Sequence, residues 1–121
     1  MEFYWLDGWK PAFVFYWDRI VKMGGLTLGP FVFFKEKYRD DKTLATIGLR
    51  EHEFTHVRQF YDPRKWFWGT LRWEVEAYKV QVEWVPDRID TFAWYIANKY
   101  GLDITQEAAR RLLEGEAGDP R

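Results

Sequence analysis

Both histidines of this 121-residue chain fall in one five-residue stretch, HEFTH, at positions 52 to 56. The stretch lies in a segment of helical periodicity from about Thr43 to Tyr61, which Asp62-Pro63 ends. Side chains four residues apart on a helix differ by about 40° around its axis, so His52 and His56 present neighbouring imidazoles to one ion. A metal site of this kind needs a further ligand from another helix, strand or loop. The fold must therefore pack such an element against the helix that carries the histidines.

Glu53 lies about 100° from His52 and about 60° from His56 around the same helix axis, so it can flank a metal without ligating it. Zinc lowers the pKa of a bound water, and a neighbouring carboxylate can take the proton as the water attacks a carbonyl. The chain has no Cys and no Ser, which removes two common protein nucleophiles. Water is therefore the expected nucleophile of any hydrolase built on this site.

The third metal ligand must come from elsewhere in the chain. A catalytic zinc takes three protein ligands and leaves one position open. Because there is no third His and no Cys, that ligand has to be a carboxylate. The stretch RWEVEAY offers Glu74 and Glu76 on a further predicted helix, from Trp73 to Val85, which Pro86 ends. The residues alone leave both glutamates open.

HEFTH followed after 19 intervening residues by Glu76-Ala77 resembles the gluzincins, the thermolysin-type zinc peptidases with HExxH and then Glu-Ala on a second helix. TLGPFVFF, a charged loop and HEFTHVRQF are also similar to small metallopeptidase-like domains, including some of phages and of bacterial contractile injection systems. The resemblance covers about residues 25 to 80. It implies zinc bound by His52, His56 and Glu76, with Glu53 as general base and Glu74 as a flanking residue; Glu74 as ligand is the competing assignment.

The resemblance also implies an edge strand before the active-site helix that binds an extended peptide, a role that falls to Phe31–Phe34. The alternative for this run is a plain core strand. Thermolysin-like enzymes carry an Asp four residues after the ligand Glu, and the corresponding position here is Val80. Asp87, Asp90 or a backbone carbonyl would then have to orient the first imidazole.

Gluzincins stabilise the oxyanion with a His or a Tyr, and both histidines of this chain are already used as ligands. The candidates are Tyr78, Tyr95, Arg58 and Arg88. Tyr95 is the expected residue, because it lies on a later predicted helix that can fold over the cleft. The competing interpretation makes Tyr95 an aromatic core or rim residue.

Two further features have both a functional and a structural interpretation. The basic-aromatic loop RKWFWGTLRW, from Arg64 to Trp73, joins the two metal-bearing helices and either forms a wall of the cleft or packs beneath the helices. Arg58 and Gln59 follow the second histidine and either support the active-site helix or lie on its solvated face.

The expected fold is α+β and mostly helical, a single zincin-like domain over residues 1–115 with a frayed tail at 116–121. It consists of an active-site helix, a small β-sheet or hairpin that contains Phe31–Phe34, and a second metal-bearing helix. Pro30 and the flanking lysines favour an edge position for that strand. Periodicity and capping residues predict three more helices, at roughly residues 12–23, at residues 87–100 with Asp87 or Asp90 as cap, and at residues 106–115 with Thr105 as cap.

Charge and hydropathy limit the expected partners. Lys and Arg total 18 against 19 Asp and Glu, without a basic run, so nucleic acid is not an expected partner. The sequence contains no window of about 18 apolar residues, so neither a transmembrane span nor a signal peptide is expected. A soluble chain is expected, in the cytoplasm or on a virion, with a peptide or protein substrate. The aromatic N-terminus, Phe3 to Trp17, suits a peripheral membrane or protein partner, and a core role is the alternative.

Three hypotheses follow. The first is a zinc-dependent metallopeptidase that hydrolyses peptide bonds through a zinc-bound water, with Glu53 as general base. The second is a weak or inactive zincin-like interaction or assembly protein, phage- or injection-system-associated, that keeps Zn2+ for stability; Val80, the small size and the aromatic content motivate it. In the third, no metal binds and His52 and His56 are ordinary helix residues.

Overall fold

A computed structural model describes residues 1–19 and 24–115 of the chain. Within these ranges the fold is α+β, with four α-helices and a mixed four-stranded sheet, and about 53% of the residues are helical. The predicted α+β, mostly helical class is therefore confirmed. The tail at 116–121 lies outside the described residues. None of the helices in the described ranges combines the length and the apolar character that crossing a bilayer requires.

The N-terminal half forms the sheet, in the spatial order β1-β2-β4-β3. The strands β1 (Glu2–Leu6) and β2 (Lys10–Tyr16) make an antiparallel hairpin. Its turn contains Asp7 and Gly8, both with positive φ, at 53° and 83°. The strand β4 (Phe31–Phe34) runs parallel to β2, and β3 (Gly25–Leu28) pairs antiparallel with β4. Thus β1 and β3 are the edges of this sheet.

The helix predicted for residues 12–23 is wrong over the residues that the structure describes. Residues 12–16 belong to β2, and residues 17–19 follow it as coil and turn; residues 20–23 lie outside the described residues. The apolar residues at helical spacing predicted a helix because β2 is apolar on both faces, so its sequence lacks the alternation of apolar and polar residues that identifies a strand. The aromatic and β-branched residues of FVFY, together with the Asp-Gly turn before them, indicate a strand of a hairpin more strongly than the helical spacing indicates a helix.

The strand predicted at Phe31–Phe34 is confirmed, but its expected edge position is wrong. β4 lies between β2 and β3, because residues 25–28 form an additional strand that the prediction did not contain. The edge strand on this side of the sheet is therefore β3, so a peptide that pairs with the sheet on this side would lie along Gly25–Leu28.

Four helices follow the sheet: α1 (Leu44–Phe60), α2 (Thr70–Trp84), α3 (Ile89–Asn98) and α4 (Gln106–Leu113). All four overlap predicted helical segments, although α2 begins three residues before its predicted start at Trp73. Thr43 caps α1 by accepting from the N–H of Thr46, and Thr105 caps α4 by accepting from the N–H of Ala108. The predicted Asp cap of α3 is absent, since Arg88 is its N-cap residue and makes no side-chain cap bond.

Two hydrophobic clusters hold the fold together. In the first, α1 packs on the inner face of the sheet, and in the second α2, α3 and α4 pack on one another. α1 also packs against α2, where Gly48 permits a close approach: a Cβ there would lie 3.2 Å from Cβ of Trp84 and 3.3 Å from Cγ of Gln81. The contact between α1 and α2 joins the two clusters and brings the HEFTH stretch next to the stretch RWEVEAY.

Candidate metal centre

The two histidines and one glutamate form a compact cluster between α1 and α2. Nε2 of His52 lies 3.3 Å from Oε1 of Glu74, and Nε2 of His56 lies 3.1 Å from Oε2 of the same carboxylate. One potential ligand atom from each residue lies within 4.8 Å of the others. The imidazole pair predicted from the helical spacing is therefore present, and the cluster is close enough to bind a metal ion.

The third residue is Glu74 and not Glu76, which corrects the assignment that the gluzincin spacing implied. Two residues apart on α2, these side chains leave the helix in directions about 160° apart, so only one can face both imidazoles. The carboxylate of Glu76 instead accepts from Nζ of Lys65 at 2.8 Å and from Nε2 of Gln59 at 3.0 Å. With Glu74 as the ligand, the position four residues later is Tyr78.

The donor set fits a zinc ion. Ligand atoms about 2.0–2.2 Å from a tetrahedral zinc are roughly 3.3–3.6 Å apart, and the imidazole nitrogens lie close to that separation from the carboxylate, at 3.3 Å from Oε1 and 3.1 Å from Oε2 of Glu74. In addition, Oε1 of Glu74 is buried and accepts no hydrogen bond from the described residues. A buried carboxylate oxygen without a donor is costly, and a bound cation would satisfy it.

Without a metal, His56 and Glu74 are a buried pair of opposite charge. Burial alone would lower the pKa of His56, but the hydrogen bond and charge of Glu74, assisted by Glu53 and Gln59, raise it from 6.5 to about 9. Burial would likewise raise the pKa of Glu74, yet the two imidazoles beside its carboxylate, His52 and His56, lower it from 4.5 to about 2 through their polar contacts and charges. A proton on His56 thus occupies the place where a metal would bind.

Zinc binding is therefore expected to release a proton and to strengthen as the pH rises. Because the pKa of His56 in the metal-free protein is about 9, apparent zinc affinity should increase about tenfold per pH unit between about pH 6.5 and that value. Competition titrations against a chelator, at several pH values, measure this slope. A flat affinity over the range would show that His56 is not a ligand.

The metal-free protein, by contrast, should lose folding stability as the pH rises. The folded pKa of His56 is raised above its unfolded value, so its contribution is complete below about pH 6.5 and is lost as the pH rises through about 9. Thermal unfolding in the presence of a chelator reports this loss, and added zinc should abolish it.

Gln59 connects His56 to Glu76. The side-chain carbonyl of Gln59 lies 2.8 Å from Nδ1 of His56, and the Nε2 amide donates to Glu76 and to the carbonyl of Trp73, each at 3.0 Å. The side-chain carbonyl oxygen of Gln59 can only accept a hydrogen bond, so Nδ1 of His56 must be the donor. This leaves a lone pair at Nε2 of His56 for a metal once the imidazole is neutral. Glu76 therefore does not contact the imidazole of His56 but holds Gln59, which does.

Replacing Gln59 by Leu should weaken zinc binding about 10- to 100-fold, the usual effect of losing a partner of a ligating imidazole. The substitution removes the acceptor that holds the His56 ring and its tautomer, while all three ligands stay. Gln81→Leu is the matched control, because Gln81 is also buried, makes no side-chain hydrogen bond to either imidazole, and packs against Gly48 with its Cγ, which Leu retains. Equal zinc affinities of the two variants would contradict this role.

His52 has no comparable support. Its Nδ1 is buried and without a hydrogen-bond partner among the described residues, and the ring of Tyr78 packs edge-on at 4.3 Å. The expectation that Asp87 or Asp90 orients this imidazole is not met, since Asp87 is exposed and Asp90 pairs with Arg110. The first histidine is held by packing, and the second by hydrogen bonds.

Glu53 lies beside the cluster and outside it, as the helical geometry predicted. Its Oε2 is 3.8 Å from Nε2 of His52, and its Oε1 accepts from the hydroxyl of Thr27 at 2.8 Å. Gly25 makes this position possible, because a Cβ there would lie 2.8 Å from Cγ of Glu53. The side chain is almost fully buried between α1 and β3 and faces the open cleft.

A cleft of about 810 Å³ opens over the cluster. One wall is β3 with the turn after it, and the opposite wall is the loop before α2 with the first turns of that helix. Trp66, Thr70 and Trp73 line the cleft, so the basic-aromatic loop forms a wall and does not pack beneath the helices. The volume is within the usual range of about 300–1,000 Å³ for small-ligand sites.

The tyrosine that lines this cleft is Tyr100, not the expected Tyr95. Tyr95 lines a second cavity, of about 400 Å³, which shares His52, Glu53 and Tyr100 with the cleft. The hydroxyl of Tyr100 lies 2.7 Å from that of Tyr78, and burial, followed by the charge of Glu74, raises the pKa of Tyr100. Its hydroxyl therefore keeps its proton and is available as a donor.

The two arginines considered for the oxyanion are used elsewhere. Arg58 forms ion pairs with Asp7 and Glu51, on the far side of α1. Arg88 is exposed, with its guanidinium over the ring of Phe92. Tyr100 was missed because the predicted helix ran to residue 100, whereas α3 ends at Asn98 and the chain beyond it directs Tyr100 into the cleft.

Comparison with known proteins found no matching family model, curated protein or solved structure. The gluzincin resemblance therefore remains a prediction. Function has to be inferred from the geometry of the cluster, the neighbouring carboxylate and the cleft.

Proposed function

We propose that this protein is a zinc-dependent metallopeptidase that hydrolyses peptide bonds in the cleft between β3 and α2. The observation that carries the proposal is the position of Glu53, a buried carboxylate held by Thr27 beside, and not within, the His52–His56–Glu74 cluster. A structural metal site needs no such second acid. A hydrolytic site does, because a base must take the proton of the attacking water.

His52, His56 and Glu74 would hold the zinc. Two imidazoles and one carboxylate are the ligands of the thermolysin-type catalytic sites, which leave a position open to water and substrate. When bound, zinc would lower the pKa of a water molecule and polarise the substrate carbonyl. The cluster faces the cleft, so an open position would be accessible to a peptide.

Glu53 would act as the general base and then as the general acid. Oε1 is engaged by the Thr27 hydroxyl, which leaves Oε2 on the side of His52 to receive a proton. The same carboxylic acid can then pass that proton to the departing amine of the scissile bond. Gly25 and Thr27 hold the carboxylate in place, so β3 contributes to positioning the base as well as to the wall of the cleft.

The substrate would be an extended peptide lying along β3. One edge of this strand lacks a partner strand among the described residues, so a peptide can pair with its backbone and approach Glu53. Trp66 and Trp73 make the opposite wall apolar, and Phe60 adds an apolar ring beside the turn after β3, which favours a large apolar side chain next to the scissile bond. Tyr100 would donate its hydroxyl proton in a hydrogen bond to the oxyanion.

Metal content and proteolysis test the proposal together. The chain purified after expression with added zinc should contain one zinc and cleave a denatured protein substrate. A chelator should abolish cleavage, and zinc should restore it while magnesium does not, since magnesium prefers oxygen ligands. A zinc content well below one per chain would exclude the metal site. Full cleavage in chelator would point to a contaminating protease.

The partnerless Nδ1 of His52 supports a second candidate function, a zincin-like interaction or assembly protein, phage- or injection-system-associated, that keeps its metal for stability. Metal-ligating imidazoles of active enzymes usually donate this N–H to an acceptor. For such a protein, zinc should raise the midpoint of thermal unfolding while no peptide in a diverse library is cleaved. Cleavage that requires zinc and Glu53 excludes this alternative.

A further inference from the structure

The face of the sheet that points away from α1 is entirely apolar. It contains nine side chains from all four strands, and we call it the aromatic face. Strand pairing places its members in direct register, with Phe3 beside Phe13 and Phe31 beside both Phe13 and Leu28. Its residues are Phe3, Trp5, Pro11, Phe13, Phe15, Leu26, Leu28, Phe31 and Phe33.

The rings on this face form one connected network across three strands. Phe3 contacts Trp5 and Phe13 at centroid distances of 5.0 and 5.2 Å. Phe13 continues to Phe31 at 5.6 Å, and Phe15 stacks on Phe33 at 5.3 Å. The side chains thus hold one another in place as a preformed surface, and ordering them would cost little entropy on binding.

Much of the aromatic face is exposed in the single chain. Trp5 is 62% exposed, Leu28 58%, and Phe3 and Phe31 44% each. With about 200 Å² for a large apolar side chain, these residues and Leu26 alone present roughly 500 Å², as much as the largest apolar patch of a typical monomer. No helix of the described ranges packs on this side, since the buried inner face is the one that α1 covers.

We propose that the aromatic face is the interface of a homodimer, in which two sheets pack face to face. Two copies would remove at least roughly 1,000 Å² from water, and the half-buried Phe13, Phe15 and Phe33 would add to this, which reaches the size of a specific interface. Aligned sheets pack about 10 Å apart and interlock the side chains of their facing surfaces. The surface would thereby become the core of a β-sandwich formed by two chains.

A second copy suits this surface better than an unrelated protein. None of the nine side chains carries a charge, and the indole N–H of Trp5 is the one hydrogen-bonding group among them, so two copies meet without like-charge repulsion and with almost no polar group to leave unpaired. Permanent homodimer interfaces have this strongly apolar character, whereas transient partners usually meet through mixed polar surfaces. α1 and the metal cluster lie on the other side of the sheet, and of the nine residues only Leu26, on the edge strand β3, also lines the cleft, so pairing would leave the metal centre accessible.

Light scattering of the purified chain during gel filtration tests the proposal. Wild type should elute with the mass of two chains. Leu28→Glu and Phe31→Glu should elute as folded monomers, because each would bury two uncompensated charges in the interface. Phe67→Glu is the matched control, since Phe67 is 92% exposed in the loop before α2 and should leave the dimer intact.

Crosslinking keeps the test decisive if a Glu variant does not fold. The chain lacks Cys, so Phe31→Cys introduces a single thiol, and a bifunctional maleimide with a span of about 10 Å should join two chains across the face. Phe67→Cys should not crosslink. A wild-type chain that stays monomeric at every concentration overturns the proposal, as does a dimer that persists in Leu28→Glu and Phe31→Glu. A monomer that sediments with phosphatidylcholine vesicles would assign the face to a membrane instead.

Discussion

The substitution Glu53→Gln is expected to lower kcat for peptide hydrolysis by about 10²- to 10⁴-fold, the usual contribution of a general base. Gln has the same shape and can still accept from the Thr27 hydroxyl, so the wall of the cleft should not change. It cannot take a proton from water. Because the carboxylate lies outside the His52–His56–Glu74 cluster, zinc content should stay at one per chain, and KM should change little.

Glu51→Gln is the control for this experiment. It also removes one carboxylate from α1 two residues away, but Glu51 pairs with Arg58 on the partly exposed side of the helix, and its loss should leave kcat unchanged. Activity and metal content measured on the same preparations separate the base from the ligands. If Glu53→Gln keeps wild-type activity, the peptidase proposal fails while the metal centre stands.

Local helix geometry explains why half of the site was predictable. The imidazole pair and the flanking Glu53 depend only on the angular spacing within one helix, and the structure places all three as the sequence predicts. The third ligand depends on how α2 is rotated against α1. Glu74 and Glu76 lie on nearly opposite sides of α2, and the close packing of α2 on α1 at Gly48 turns Glu74 toward the imidazoles. No pattern within α2 carries that information.

The sheet shows the same division between local and long-range information. The strand at Phe31–Phe34 was predicted from its composition, whereas β2 was predicted as a helix and β3 was missed. A strand reveals itself by alternating apolar and polar residues when one face meets water. The aromatic face removes this alternation, since Phe13 and Phe15 are apolar while Ala12 and Val14 form the core. An interface on the outer side of the sheet would explain why that pattern is missing.

The supporting residues fall between these two cases. Gln59 follows His56 by three residues on α1, so its contact with that imidazole is within reach of helical geometry. Its second bond, to Glu76 on α2, needs the packing of two helices. Together with Lys65, these residues account for the polar contacts of the glutamate that the gluzincin spacing had selected as a ligand. Glu76 is therefore close to the site without reaching the cluster.

A comparison of Glu74→Gln with Glu76→Gln tests that assignment directly. Glu74→Gln replaces an anionic ligand by a neutral amide, a poor ligand for zinc, and should weaken zinc binding by more than about 100-fold, beyond the range for supporting residues. Glu76→Gln keeps a side-chain carbonyl that can still accept from Gln59, so its zinc affinity should fall by about tenfold at most. The two variants differ in charge from wild type by the same amount, and each is the matched control of the other.

Circular dichroism of both variants establishes that they fold, and competition titration then measures zinc affinity at one fixed pH, since the proton on His56 also affects binding. Activity with saturating zinc should be lost in Glu74→Gln and largely kept in Glu76→Gln. A larger loss of zinc affinity and activity in Glu76→Gln than in Glu74→Gln would make Glu76 the ligand, as the gluzincin spacing implies. It would require α2 to be rotated about its own axis by nearly half a turn. Because Glu76 would then have to leave Lys65 and Gln59 for the imidazoles, such a result would also refute the packing of α1 on α2 from which the cluster, the base and the cleft all follow.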